Sequence, residues 1–204
     1  GTDKGIYMSS NSGSSWTDIS NGLPKYKPYF AIELKDNILF AANYSRGIYK
    51  TANNGTNWYR CENGLNDLLI NKFLVYGSYI FAASLGGGVY VTVNYGENWY
   101  PKNTGFQGHC VYTMMNNGTM LYAGTQGGGV YYSNNGSTWI NLSSGLASTI
   151  VYSIINANSS LFAGTYGGIF KSTNNGNNWY GVNNGLLDSV TLSLTSNGTS
   201  VFAG

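Results

Sequence analysis

Ser172-Thr173-Asn174-Asn175-Gly176-Asn177-Asn178-Trp179 decides the fold, because the string returns with small changes four more times along the 204-residue chain. Its tryptophans are Trp16, Trp58, Trp99, Trp139 and Trp179, spaced 42, 41, 40 and 40 residues apart. A fixed period of that size is the signature of a repeat architecture. Three residues before each Trp stands a glycine (Gly13, Gly55, Gly96, Gly136, Gly176), and five before stands an asparagine (Asn11, Asn53, Asn94, Asn134, Asn174). Seven before, Ser9, Thr51, Thr92 and Ser172 share a hydroxyl, with Tyr132 the exception. An Asn side chain caps a turn on the nearby backbone and Gly supplies positive φ, so each string reads as a hairpin joining two strands. Trp then opens the second strand as a large packing anchor, expected to be buried in all five copies.

Working outward, each period holds four short apolar runs separated by Gly, Asn and Ser clusters. In the last full copy they fall near 150–155, 160–164, 168–172 and 178–182. Each fourth run ends in a second recurrent turn, such as Asn63-Gly64-Leu65 and Asn184-Gly185-Leu186. Four strands in about 40 residues is the arithmetic of a β-propeller blade, and the i, i+3, i+4 spacing of helical repeats is missing. The expected fold is therefore all-β: one domain over 1–204, a five-bladed propeller with four antiparallel strands per blade. Val201-Phe202-Ala203-Gly204 repeats Leu161-Phe162-Ala163-Gly164, and Gly1-Thr2 repeats Gly164-Thr165. That phase predicts a ring closed by pairing Val201–Ala203 with the 5–9 segment in one shared blade, which would hide two sheet edges. The competing reading is a piece of a longer array of six to eight blades. The opening Gly1, without Met, likewise suggests a processed or excised piece.

The pattern Ser/Thr-x-Asn-x-Gly-x-x-Trp resembles the Asp-box, or BNR repeat, of sialidases, sortilin-type receptors, xyloglucanases and a photosystem II assembly factor. Asn stands where the family has Asp, which keeps the capping oxygen and removes the charge. The resemblance implies that the box is structural and lies away from the ligand face. It also implies what catalysis would require. Sialidases need three arginines with a Tyr/Glu pair, and this chain has only Arg46 and Arg60, on different strand phases. Xyloglucanases of this kind place two acids in a cleft between two larger propellers, for which the chain is too short.

Composition narrows the functions further. Charged residues make up 9% of the chain, against about 25% in ordinary domains. The net charge of +2 comes from scattered residues without a basic run, so nucleic acid and anionic membranes are poor partners. Cys61 and Cys110 differ in repeat phase, which argues against a disulfide, and with His109 they lack metal-ligand spacing. No cofactor or metal is called for. No apolar run is long enough for a membrane helix.

Function is expected on the loops that lead into each blade and on those between its second and third strands, which differ from copy to copy while the hairpins do not. Tyr26, Tyr44, Arg46, Gln126 and Tyr166 are the candidate ligand contacts, since Tyr offers flat contact area with a hydrogen-bonding tip. The leading expectation is a non-catalytic, extracellular recognition or scaffolding module for a glycan or a protein. The alternative is a carbohydrate hydrolase using Asp67 and Asp188, which share a position after the Gly-Leu turn in two blades.

Overall fold

The computed structural model describes residues 1–25, 27–44, 46–107 and 110–204, and among them it contains strands and turns but no helix. The chain divides into two compact units, Gly1–Pro101 and Lys102–Gly204.

The first unit opens with a two-stranded sheet, β1 (Tyr7–Met8) and β2 (Thr17–Asp18). Two four-stranded antiparallel meanders follow. One is β3 (Tyr29–Lys35), β4 (Ile38–Asn43), β5 (Gly47–Thr51) and β6 (Tyr59–Arg60); the other is β7 (Ile70–Tyr76), β8 (Tyr79–Ser84), β9 (Gly88–Thr92) and β10 (Tyr100–Pro101). The second unit has two more: β11 (Val111–Asn116) to β14 (Ile140–Asn141) through β12 (Leu121–Thr125) and β13 (Val130–Ser133), then β15 (Val151–Ala157), β16 (Ser160–Thr165), β17 (Gly168–Ser172) and β18 (Tyr180–Gly181). It ends in a pair, β19 (Leu194–Ser196) and β20 (Val201–Ala203). β1 pairs with β2 alone and β20 with β19 alone, so the ladder expected between Val201–Ala203 and the 5–9 segment is not part of either sheet.

Within each unit the sheets stack face to face, so the middle strands are covered on both sides. Leu39-Phe40-Ala41-Ala42 and Ile80-Phe81-Ala82-Ala83 are therefore continuous apolar runs and not alternating ones. In the first unit Phe40, Ile48, Cys61, Phe73 and Trp99 form one cluster. In the second, Tyr122, Val130, Ile154, Leu161, Phe170 and Trp179 form another. The outermost strands are two residues long and exposed, which limits the free edge each sheet offers.

The hairpins show why the string repeats. In the second copy Thr51 Oγ1 donates to Asn53 Oδ1 (2.7 Å) and accepts from the Gly55 amide (3.1 Å), while Asn53 Oδ1 accepts from the Asn57 amide (3.0 Å). Ser9/Asn11, Thr92/Asn94 and Ser172/Asn174 repeat this bond for bond. The fourth copy corrects the sequence reading. There Ser133 and Asn135 make the bonds in place of Tyr132 and Asn134, with Ser133 Oγ to Asn135 Oδ1 at 3.1 Å and the Thr138 amide to Asn135 Oδ1 at 3.1 Å. The hairpin is one residue shorter there, so counting back from Trp139 lands one position early. The shortening also removes the left-handed residue that the other copies carry at Ser12, Asn54, Tyr95 and Asn175.

Four of the five tryptophans reach back along the chain to a backbone carbonyl of the preceding repeat. The indole N–H of Trp58 donates to the Ile19 carbonyl (2.7 Å), Trp99 to Cys61 (2.9 Å), Trp139 to Lys102 (2.9 Å) and Trp179 to Leu142 (2.8 Å). All four are buried, as the packing role requires. Trp16 departs from the expectation: it is 63% exposed.

Every complete sheet also carries a register shift at one place in its first strand, between Tyr29 and Ala31, Ile70 and Lys72, Val111 and Thr113, and Val151 and Ser153. Phe30, Asn71, Tyr112 and Tyr152 are the residues so bulged out of the ladder.

Candidate functional site

The loops that lead into a sheet meet the turns between second and third strands, as the topology requires. In the second unit this meeting centres on Ile150. The Gln126 amide donates to the Cys110 carbonyl (3.0 Å), and Gln126 forms an antiparallel bridge with Ile150. The Tyr166 amide donates to the Ile150 carbonyl (3.1 Å). Gly127 and Gly129 both donate to the Thr149 carbonyl, at 3.0 and 2.8 Å. Gln126 and Tyr166 are thus brought together on one short stretch of backbone, with their side chains exposed. Two residues beyond Cys110 and Ile150, the bulged Tyr112 and Tyr152 pack ring to ring at 5.2 Å. Burial first of all, and then Cys110 and Tyr152, raise the Tyr112 hydroxyl above the ordinary tyrosine value, so it stays a neutral donor.

In the first unit Tyr44 lies edge-on to Phe30 (5.5 Å, 87°), and its amide donates to the Pro28 carbonyl (2.9 Å). Arg46 is exposed, and its carbonyl accepts from Arg60 Nη2 (3.3 Å). Tyr26 and His109 lie outside the described residues. Arg60 also pairs with Glu62 (2.9 Å).

Asp67 is taken up by the fold. Its Oδ2 accepts from the Ser84 hydroxyl and from the amides of Gly86 (2.7 Å) and Gly87 (3.1 Å), and its Oδ1 accepts from the Leu69 amide (3.2 Å). Burial alone would raise this carboxyl, but the four hydrogen bonds outweigh it and hold it below the ordinary aspartate value. A general acid needs the opposite shift. Asp188 caps the Val190 amide (3.1 Å) on an exposed loop in the other unit.

Three features escaped the sequence reading. Tyr90 and Tyr131 accept, through their hydroxyls, from the amides of Asn66 (3.3 Å) and Gln107 (3.2 Å), and so pin two lead-in loops. Leu187 stands fully exposed beside Asp188, where the other copies carry Pro24, Asn66, Gln107 and Ala147; that Leu-Leu pair was the visible signal. Charge is also lopsided, since only Lys102, Lys171 and Asp188 of the 18 charged residues lie beyond Pro101. The unit that holds the Ile150 site is therefore nearly uncharged. Among the described residues no three His, Cys, Asp or Glu side chains come together.

No known family profile matches the chain, and no curated protein matches it either. Solved structures do. An extracellular domain ascribed to a hybrid two-component system of B. thetaiotaomicron superposes with a TM-score of 0.80 at 16% identity, over 99% of this chain and 28% of that one. YCF48 bound to D1 peptide superposes at 0.73 and 15% identity, over 100% and 70%. The GH74 xyloglucanase of Xanthomonas campestris superposes at 0.72 and 19% identity, over 97% and 31%. The chain spans less than a third of the length of that extracellular domain and of the xyloglucanase. At these identities the likeness concerns the fold alone, and it is a likeness to propeller-type proteins: all-β, built of four-stranded antiparallel sheets.

Proposed function

We propose that this chain is a non-catalytic recognition module that binds a neutral glycan or peptide segment through the loops around Ile150. The observation that carries the reading is the seating of Gln126 and Tyr166 on the Ile150 backbone, with hydrogen-bonding and aromatic side chains exposed, in a unit that holds only three charged residues. Tyrosine and glutamine give reversible contact by stacking and hydrogen bonds without a charged anchor. Tyr44 and Arg46 present the same kind of exposed side chain on a turn of the first unit. An extracellular domain of a two-component system and a peptide-bound protein among the similar folds agree with a binding role by analogy only. The hydrolase alternative is weakened by Asp67, whose carboxylate is held by four donors and kept ionised.

The same reading includes an Asp-box-type propeller with Asn in the box, acting outside the cell as a single domain. In it the pairs β1–β2 and β19–β20 are the two halves of a fifth blade that closes a five-bladed ring. Binding should be insensitive to salt, because no ion pair anchors the ligand. Glycan and peptide arrays followed by calorimetry test the proposal: Tyr166→Ala and Gln126→Ala should each weaken binding about tenfold, the loss of one good contact. Binding untouched by both changes would overturn the site. Turnover of a polysaccharide that disappears in Asp67→Asn would overturn the non-catalytic reading.

A further inference from the structure

Asparagine is a thermolabile residue, most of all before glycine, whose amide nitrogen can reach the asparagine side chain with no Cβ in its path. The chain holds eight such pairs, beginning at Asn21, Asn54, Asn63, Asn117, Asn135, Asn175, Asn184 and Asn197. Two groups must be loose for the attack: the side-chain amide, which has to turn onto the backbone, and the glycine N–H, whose proton has to leave. In seven of the eight pairs the fold ties down at least one of them.

Five glycine amides are already spent on an oxygen. Gly55 donates to Thr51 Oγ1 (3.1 Å), Gly136 to Ser133 Oγ (2.8 Å), Gly176 to Ser172 Oγ (2.8 Å), Gly198 to Ser196 Oγ (3.0 Å) and Gly118 to Asn116 Oδ1 (3.2 Å). Three of the asparagines before them are held as well, since Oδ1 of Asn117, Asn135 and Asn197 each caps two following amides. At the Asn-Gly-Leu turns of the first unit the side chain is the held group: Asn21 Nδ2 donates to the Thr56 carbonyl (2.8 Å) and Asn63 Nδ2 to Asn98 Oδ1 (2.6 Å).

Asn184 is the exception. It and Gly185 are the middle residues of a turn closed by the Leu186 amide on the Asn183 carbonyl (3.0 Å), so the turn's own hydrogen bond passes them by. Both are exposed, and among the described residues neither the Asn184 side chain nor the Gly185 amide has a hydrogen-bond partner. A Cβ built on Gly185 would meet nothing within 4 Å, so nothing stands over the turn to obstruct a ring closing there.

We propose that Asn184 is a self-modification site, at which the chain converts its own asparagine to aspartate and isoaspartate. The Gly185 nitrogen attacks Asn184 Cγ; a new C–N bond forms, the Cγ–Nδ2 bond breaks, and ammonia leaves with the proton shed by the amide. Water then opens the five-membered imide at either carbonyl, giving aspartate or its backbone-extended isomer, and no other reactant is consumed. The change falls beside a hollow of about 400 Å³ lined by Gly167, Asn183, Leu186, Leu187 and Asp188, which borders through Gly167 the turn that carries Tyr166. The new carboxylate adds a fourth charged residue to a unit that holds Lys102, Lys171 and Asp188. The isoaspartate form lengthens the backbone before Leu186 and Leu187 by one methylene.

The test incubates the whole chain at about pH 8 and follows each pair by peptide mass spectrometry, with a parallel sample in urea giving the unfolded rate. Asn184 should convert in the folded chain at close to its unfolded rate. The other seven should run about tenfold or more below theirs, the effect of one hydrogen bond broken before attack. Ser172→Ala strips the oxygen from the Gly176 amide, so Asn175 should gain about tenfold while Asn54, behind Thr51, stays slow. Asn184 as slow as the rest, or any other pair matching it in the folded chain, would overturn the proposal; so would an Asn175 indifferent to the loss of the Ser172 hydroxyl.

Discussion

Replacing Trp99 tests whether the indole clasp holds these sheets together by its bulk, by its hydrogen bond, or by both. Trp99 is 1% exposed, its ring lies 6.4 Å from Phe73 at 31°, and its N–H meets the Cys61 carbonyl at 2.9 Å. Withdrawing about 200 Å² of aromatic surface at about 25 cal/mol per Å² is worth about 5 kcal/mol. Partial collapse of the cavity brings the measured cost of such truncations to about 3–5 kcal/mol, and that is the expectation for Trp99→Ala. Trp99→Phe keeps most of the bulk but leaves the Cys61 carbonyl buried without a donor, for about 1–3 kcal/mol. Urea unfolding followed by far-UV circular dichroism gives both values, and hydrogen exchange in β8 and β9 reports the first unit by itself. Against a total of about 5–15 kcal/mol for a domain, the Ala variant should lose much of that unit's protection. Both variants within about 0.5 kcal/mol of the parent, the range of neutral surface changes, would refute the clasp.

Further expectations follow from the turns and the titrating groups. Asp67→Asn should cost about 2 kcal/mol, because an amide offers one accepting oxygen where the carboxylate offers two. The Asp67 carboxyl is depressed in the folded state, so its stabilisation is complete above the unfolded value and is lost as pH falls through the folded one. A parent whose acid limb below about pH 4 is no steeper than the variant's would contradict this. In the fourth hairpin Asn135→Ala should lower stability by about 1 kcal/mol while Asn134→Ala stays near neutral; the reverse order in thermal unfolding would restore the spacing-based assignment. Burial pushes the Cys61 thiol up to about 12, so a thiol reagent at pH 8 should leave Cys61 unmodified until the first unit unfolds, and prompt labelling of Cys61 in the native protein would count against its burial.

Much of the fold was legible because the repeat is enforced by local chemistry. A turn that needs a hydroxyl, a capping amide and a positive-φ glycine writes the same letters each time. The fourth copy misled because Asn134 and Asn135 are adjacent, and only the bonds tell which one caps. Trp16 misled because its letters match the other four while burial depends on a neighbour that local sequence does not encode. Asp67 read as a candidate acid because residue type is visible in a sequence and its four donors are not; Ser84, Gly86 and Gly87 lie 17 to 20 residues away along the chain. The Ile150 site was half legible: the loops were expected to vary, but the backbone bonds joining Gln126 to Tyr166 span 24 and 16 residues from Ile150.

The bulge in the first strand of every complete sheet gives the repeat an address that can be rewritten. A residue pushed out of the ladder carries little of the sheet's register, so Phe30, Asn71, Tyr112 and Tyr152 can differ while Tyr29, Ile70, Val111 and Val151 beside them stay buried and apolar. Variation is thereby uncoupled from folding one position at a time. A library randomised at those four codons alone would sample new inner-strand chemistry on an unchanged scaffold, whereas the same diversity one residue earlier would be spent on the core.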